Sequence, residues 1–172
     1  MRYLFVCVLA VLPSLAIASH RLPVRPVDAT ASAALDLAVD QSATARALVQ
    51  RLEASNVIVH VESSRALPHG LDGMTRFVVS RGGYRYLRIT IDADLPHRAR
   101  AAILAHELQH ACEVADSNAE DVESLRALFA HRGRHTGEFY ETAAAIEAQR
   151  HVKLELHATR TLQAEPVIKF DH

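Results

Sequence analysis

The sequence predicts an α+β domain with an N-terminal helix, a small three-stranded sheet, a long helix and two further helices. Three observations lead there. The chain has 172 residues, 49% of them hydrophobic and 23% charged, with a net charge of −1. That is enough apolar material for one core and too much for whole-chain disorder. Apolar positions recur at helical spacing up to residue 54, alternate from 57 to 91, and return to helical spacing beyond Asp92. No internal repeat or low-complexity segment breaks this order beyond a general enrichment in alanine. The near-neutral charge gives no electrostatic case for a nucleic-acid partner, which ordinarily needs a basic face.

The N-terminus reads as a segment apart. Arg2 precedes an apolar run, Leu4 to Leu12, and Ala16-Ile17-Ala18 has the small-x-small form of a signal-peptidase site. Pro13 interrupts the run, which falls short of the roughly 20 apolar residues that span a bilayer. The expectation is a signal peptide over 1–18, cleaved after Ala18, and a secreted or periplasmic protein with no stable membrane span. Of the two cysteines, Cys7 and Cys112, only Cys112 would then remain. No intramolecular disulfide can form, so the fold must rest on its core or on a metal.

Residues 19–28 contain Pro23 and Pro26 and read as an extended leader. From Thr30 to Ala54, Leu35, Ala38, Ala45, Leu48 and Leu52 fall at helical spacing, with a break near Gln41-Ser42. Val57 to Val61 reads as a strand and Pro68 to Gly73 as turns. Thr75 to Ser80 and Tyr84 to Ile91 form a hairpin across Arg81-Gly82-Gly83. The next helix reaches about Ala115, with Asp94 as its N-cap and Pro96 in its first turn. A second helix runs from about Ala119 to Ala130, and a third from about Glu138 to His157. The domain therefore spans 29–158, followed by a tail, 159–172.

The informative segment is His106-Glu107-Leu108-Gln109-His110, an H-E-x-x-H pattern inside the long helix. Residues four apart on a helix lie one above the other, so both imidazoles can address one ion. Glu107 lies about 100° round the helix, beside the ion rather than on it. There it can take a proton from a zinc-activated water. Apolar residues surround the motif, and polar groups inside such a helix need partners.

These residues resemble the zincin superfamily of metallopeptidases. The resemblance implies zinc (Zn2+) bound by His106 and His110, with Glu107 as general base. Four residues compete for the third ligand. Glu113 continues the same helix but moves along its axis away from the shared ion. Asp116 falls where the metzincin pattern ends, yet Glu113 stands where that pattern needs a glycine. Glu123 reads as a surface acid. Glu141, read as helical, heads a stripe with Ala145, Ala148, Val152 and Leu156, and a carboxylate there needs a buried cation. That resembles the gluzincin arrangement and makes Glu141 the expected ligand. Such proteins often carry E-x-x-A-D, but here Ala145 stands in place of the acid, so the carboxylate that orients a ligand histidine is missing from its usual place.

Tyr140, His131 and His135 are candidate donors to a developing oxyanion. Their ordinary readings are core packing for the tyrosine and exposure for the histidines. Cys112 reads as a core thiol, and His60, His69, His97, His151 and His157 as surface or structural residues. The whole points to an exported zinc-dependent hydrolase, a small metallopeptidase. A peptide or protein substrate would add to the sheet edge, with Tyr84 to Ile91 the candidate edge strand. The alternative is a zincin-like module of the cell envelope that binds metal without catalysis. A third reading, partner binding through residues 30–54, competes with the ordinary role of covering the sheet.

Overall fold

Ser42 divides the first predicted helix in two. Its backbone is extended (φ −128°, ψ 122°), and its hydroxyl accepts from Ala45 N at 2.9 Å, capping a new helix. The computed structural model describes residues 22–136 and 139–164. The expected signal peptide and residues 165–172 of the expected tail lie outside them. In order, the elements are β1 Val24–Pro26, α1 Ala29–Gln41, α2 Ala43–Glu53, β2 Val57–Ser64, β3 Gly73–Arg81, β4 Tyr84–Asp92, α3 His97–Ala115, α4 Val122–Arg132, β5 Arg134–Thr136, β6 Phe139–Glu141 and α5 Ala143–Ala164.

The main sheet has four strands rather than three, in the order β1-β2-β4-β3. The extra strand comes from the segment expected to be a leader: Val24, Arg25 and Pro26 pair in parallel with Val59, His60 and Val61. Pro26 fits because β1 is an edge strand, where a missing N–H costs no ladder bond. Strand β4 is parallel to β2 and antiparallel to β3, so it is an inner strand. The expectation that Tyr84 to Ile91 forms the free edge is therefore wrong. Among the described residues that edge belongs to β3. The β3–β4 turn needs positive φ at Gly82 (62°) and Gly83 (80°), the two-residue hairpin that Gly-Gly permits.

Alternation decides which side of the sheet is covered. Val57, Val59, Val61, Leu87, Ile89 and Ile91 point to one face and are fully buried, while the opposite face carries His60, Glu62 and Arg88. The helices pack on the first face. Helix α3 lies against the sheet on one side and against α1, α2 and α5 on others. It is buried nearly all round, which explains its apolar sequence. Helices α1 and α2 bury Ala31, Ala34, Ala38, Ala45, Leu48 and Leu52, so residues 30–54 do cover the core.

Several boundaries shift. Asp94 does not cap α3; Pro96 stands at the N-cap, and Asp94 pairs with Arg65 at 2.8 Å. Helix α4 starts after Asp121, whose carboxylate accepts from Ser124 N while Ser124 Oγ accepts from Asp121 N. Helix α5 continues to Ala164, past the expected end of the domain at 158. Glu155 ties it to α2 by accepting from Ser42 Oγ, from Thr44 N at 3.2 Å and from Thr44 Oγ1 at 2.8 Å. Among the described residues no helix is long and apolar enough to cross a membrane.

Asp28 joins the start of α1 to β2. It accepts from Ala31 N at 2.8 Å, Ser63 N at 2.7 Å and Ser63 Oγ at 2.9 Å. Burial works to raise its pKa, but these bonds outweigh it and hold the carboxyl below its ordinary value. A lowered folded pKa stabilises above the unfolded value and is lost as pH falls through the folded one. Asp28→Ala should cost about 1–2 kcal/mol near neutrality. In urea unfolding, its gap from wild type should narrow as pH drops below about 4. A gap that does not change with pH would assign the loss to packing instead.

Candidate metal centre

Helix geometry assembles most of the site locally. His106, Glu107, His110 and Glu113 are each only 6–7% exposed, all on α3. The two imidazole rings lie 4.9 Å apart at 76°, and Phe129 meets the His110 ring edge-on at 5.1 Å. The third member arrives from far along the chain. Ligand atoms of His106, His110 and Glu141 all lie within 4.8 Å of one another, the one such cluster among the described residues. His106 Nε2 is 3.3 Å from Glu141 Oε2.

Glu141 reaches this point from a strand, not a helix. It is the last residue of β6, in the β5–β6 hairpin between α4 and α5. Gly133 lets that hairpin close: a Cβ there would sit 2.9 Å from Phe129 O and 3.0 Å from Glu141 O. The stripe of Ala145, Ala148, Val152 and Leu156 is buried as read, but Glu141 does not head it. Thr142 does. Its Oγ1 accepts from Ala145 N at 3.2 Å, capping α5.

Thr142 also reveals what the sequence reading missed. Its hydroxyl donates to Glu113 Oε1 at 2.7 Å, while Glu113 Oε2 takes a bond from His110 Nδ1 at 2.9 Å. Burial works to raise the Glu113 pKa, but the bonds from His110 and Thr142 outweigh it, so the group is held ionised. An ionised carboxylate only accepts, so Nδ1 of His110 is the donor in this bond and Nε2 is the nitrogen left to face a ligand. Glu113, one turn beyond His110, thus supplies an orienting carboxylate to that histidine, whereas Nδ1 of His106 is buried with no hydrogen-bond partner among the described residues. Removing its charge with Glu113→Gln should weaken zinc binding about 10–100-fold in a chelator competition. An unchanged affinity would reduce Glu113 to a packing role.

Glu107 is held from the other side, by the sheet. Its Oε2 accepts from Thr75 Oγ1 at 2.7 Å. Its Oε1 lies against Gly73, where an added Cβ would stand 2.9 Å from that oxygen and 2.6 Å from Ile103 Cγ2. Glycine is needed there for close approach, not for backbone freedom. Burial raises the Glu107 pKa, partly offset by the two histidines. The opposite holds at Glu141, where the bond to His106 outweighs burial and lowers the pKa. Burial works to lower that of His106, but Glu141 and Glu107 outweigh it and raise it.

The other candidates fall elsewhere. Asp116 ends α3 and pairs with Arg51 of α2, both about half exposed. Glu123 is exposed in the first turn of α4. Cys112 is buried, its Sγ 3.6 Å from Leu48 O, and burial pushes the thiol up to about 12. His60 stacks on Tyr86, His97 Nε2 is 3.0 Å from Ala33 O, and His151 is 3.0 Å from Glu147. His69, His131 and His157 are exposed. The side chain of His135 lies outside the described set.

A cleft of about 430 Å³ opens over the cluster, lined by Glu107, His110, Tyr140 and Glu141. One wall is the free edge of β3 from Gly73 to Phe77, and the other is a face of α4. Comparison with protein-family models, curated proteins and solved structures finds no match.

Proposed function

We propose that the protein is a zinc-dependent hydrolase, a small exported metallopeptidase of zincin type. One observation carries the reading. Two imidazoles and a carboxylate converge within 4.8 Å, with a buried glutamate beside them, in a cleft along an unpaired sheet edge. The donor set is chemically suited to zinc, and Nε2 of His110 and the carboxylate of Glu141 would hold it with His106. Bound there, zinc supplies a Lewis acid that polarises a carbonyl and brings the pKa of water towards neutrality.

The chain's own groups divide the remaining work. Glu107 is poised as general base because burial moves its pKa towards the working range. Thr75 occupies Oε2, which leaves Oε1 to carry the proton. The free N–H and C=O groups of β3 offer an extended peptide a strand to pair with. Tyr140 lines the cleft beside Glu141 and is the candidate oxyanion donor on that side. The alternative of a metal-binding scaffold without catalysis is separated from this reading by the Glu107→Gln experiment, and the carboxylate of Glu113 beside His110 favours the catalytic one.

Metal analysis of the purified protein tests the centre. The expected result is about one zinc per chain, lost in Glu141→Ala and retained in Asp116→Ala. A folded wild type that takes up no zinc would overturn the proposal.

A further inference from the structure

We infer that the cleft selects a peptide with an acidic side chain two positions from an apolar one, and that Arg126 holds its carboxylate. This rests on the metallopeptidase reading and adds a substrate class to it. Helix α4 runs back along β3. Ser80 Oγ at the far end of β3 donates to Glu120 O at 2.8 Å, just before α4, while Phe129 in its last turns meets His110. The cleft is therefore a groove leading away from the cluster, with strand on one side and helix on the other.

The residues of α4 that line it are Val122, Leu125, Arg126 and Phe129. They stand at i, i+3, i+4 and i+7, so they share one face. Three are apolar and one is a cation. Arg126 is exposed and forms no ion pair among the described residues. A permanently charged guanidinium set between apolar neighbours on a cleft wall complements an anionic group, and a carboxylate matches its fork.

Spacing sets where that group belongs. Arg126 lies three residues from Phe129, about 4.5 Å along the helix, and four from Val122, about 6 Å. Same-face side chains of an extended peptide recur about every 6.6 Å. The Arg126–Val122 spacing comes closest to that repeat, so a peptide paired to β3 places its acidic side chain by Arg126 and an apolar one, two positions on, by Val122.

The test uses matched short peptides with Phe at one position and Glu, Ala or Lys two residues away. Cleavage is followed with the zinc-loaded protein, and binding by fluorescence anisotropy on zinc-loaded Glu107→Gln. Glu over Lys by about three- to tenfold in both readouts is expected for a partly exposed ion pair. Because Arg76 of β3 also lines the cleft, the variants are made in an Arg76→Ala background, where the preference should vanish with Arg126→Ala and invert with Arg126→Glu. Cleavage without charge preference, or a preference that survives Arg126→Glu, overturns the inference and leaves the metallopeptidase reading standing. Arg126-dependent binding of the Glu peptide with no cleavage of any peptide overturns the hydrolase reading and keeps the specificity. Neither binding nor cleavage overturns both.

Discussion

Replacing Glu107 with glutamine should leave zinc content unchanged and lower peptide hydrolysis about 10²–10⁴-fold, the usual contribution of a positioned general base. The substitution keeps the shape of the side chain and its bond from Thr75, so Gly73 and Ile103 see the same contour. What it removes is the ability to accept a proton. Because burial already disfavours the charged form of Glu107, loss of that charge should not destabilise the fold. The decisive combination is kcat/KM, bound zinc and thermal unfolding on one preparation. Activity within a few-fold of wild type would remove Glu107 from the chemistry. A fall in bound zinc alongside activity would instead make it part of the metal's support.

The second large effect is expected away from the cleft, at Arg85. It points inward from β4 and is 7% exposed, so its charge is buried. Its guanidinium donates to the carbonyls of Val114 at 2.6 Å, Ala115 at 3.1 Å, Ser117 at 2.8 Å and Ala119 at 3.3 Å. Asn56 Oδ1 takes a further bond from Nη2 at 2.6 Å. The carbonyls of Val114 and Ala115 end α3, where the helix carries its negative partial charge, and those of Ser117 and Ala119 belong to the loop that follows. One side chain therefore caps the helix that bears both histidines and fixes the loop into α4. Arg85→Met should cost about 3–5 kcal/mol, because truncation strands several buried acceptors at once. Arg85→Lys should recover only part of this, since a point charge cannot span carbonyls that a planar fork reaches together. Urea unfolding checks both, and a loss below about 1 kcal/mol for Met would mean that water replaces the fork.

Arg85 also shows how much was open to a reader of the chain. In Arg85, Leu87, Ile89 and Ile91 it occupies the buried phase of an alternating strand, so its inward direction follows from parity. Its partners do not, since they lie about thirty residues away. Glu113 divides in the same way. Its neighbourhood to His110 is a property of any helix, and the pair could have been seen in His110-x-x-Glu113. That its second oxygen meets Thr142 could not. Strands β5 and β6 have three residues each, too few for alternation to declare itself, and the helical pattern of α5 was read back through Glu141. Thr142 before an alanine run was the available sign of a helix start.

The sequence by itself determined what lies within a few residues along the chain. Two histidines share one helical face with a glutamate beside them, and the alternation of β2 and β4 decides which side of each strand is buried. Local geometry settles these, because one helical turn or one strand step leaves the side chains little choice of direction. Only the tertiary structure decided that β3 is the free edge, that Gly73 and Thr75 seat Glu107, and that Glu141 comes from a hairpin. Each of those depends on which distant segments pair. Their contacts follow from burial of the whole core, which no short window of sequence contains.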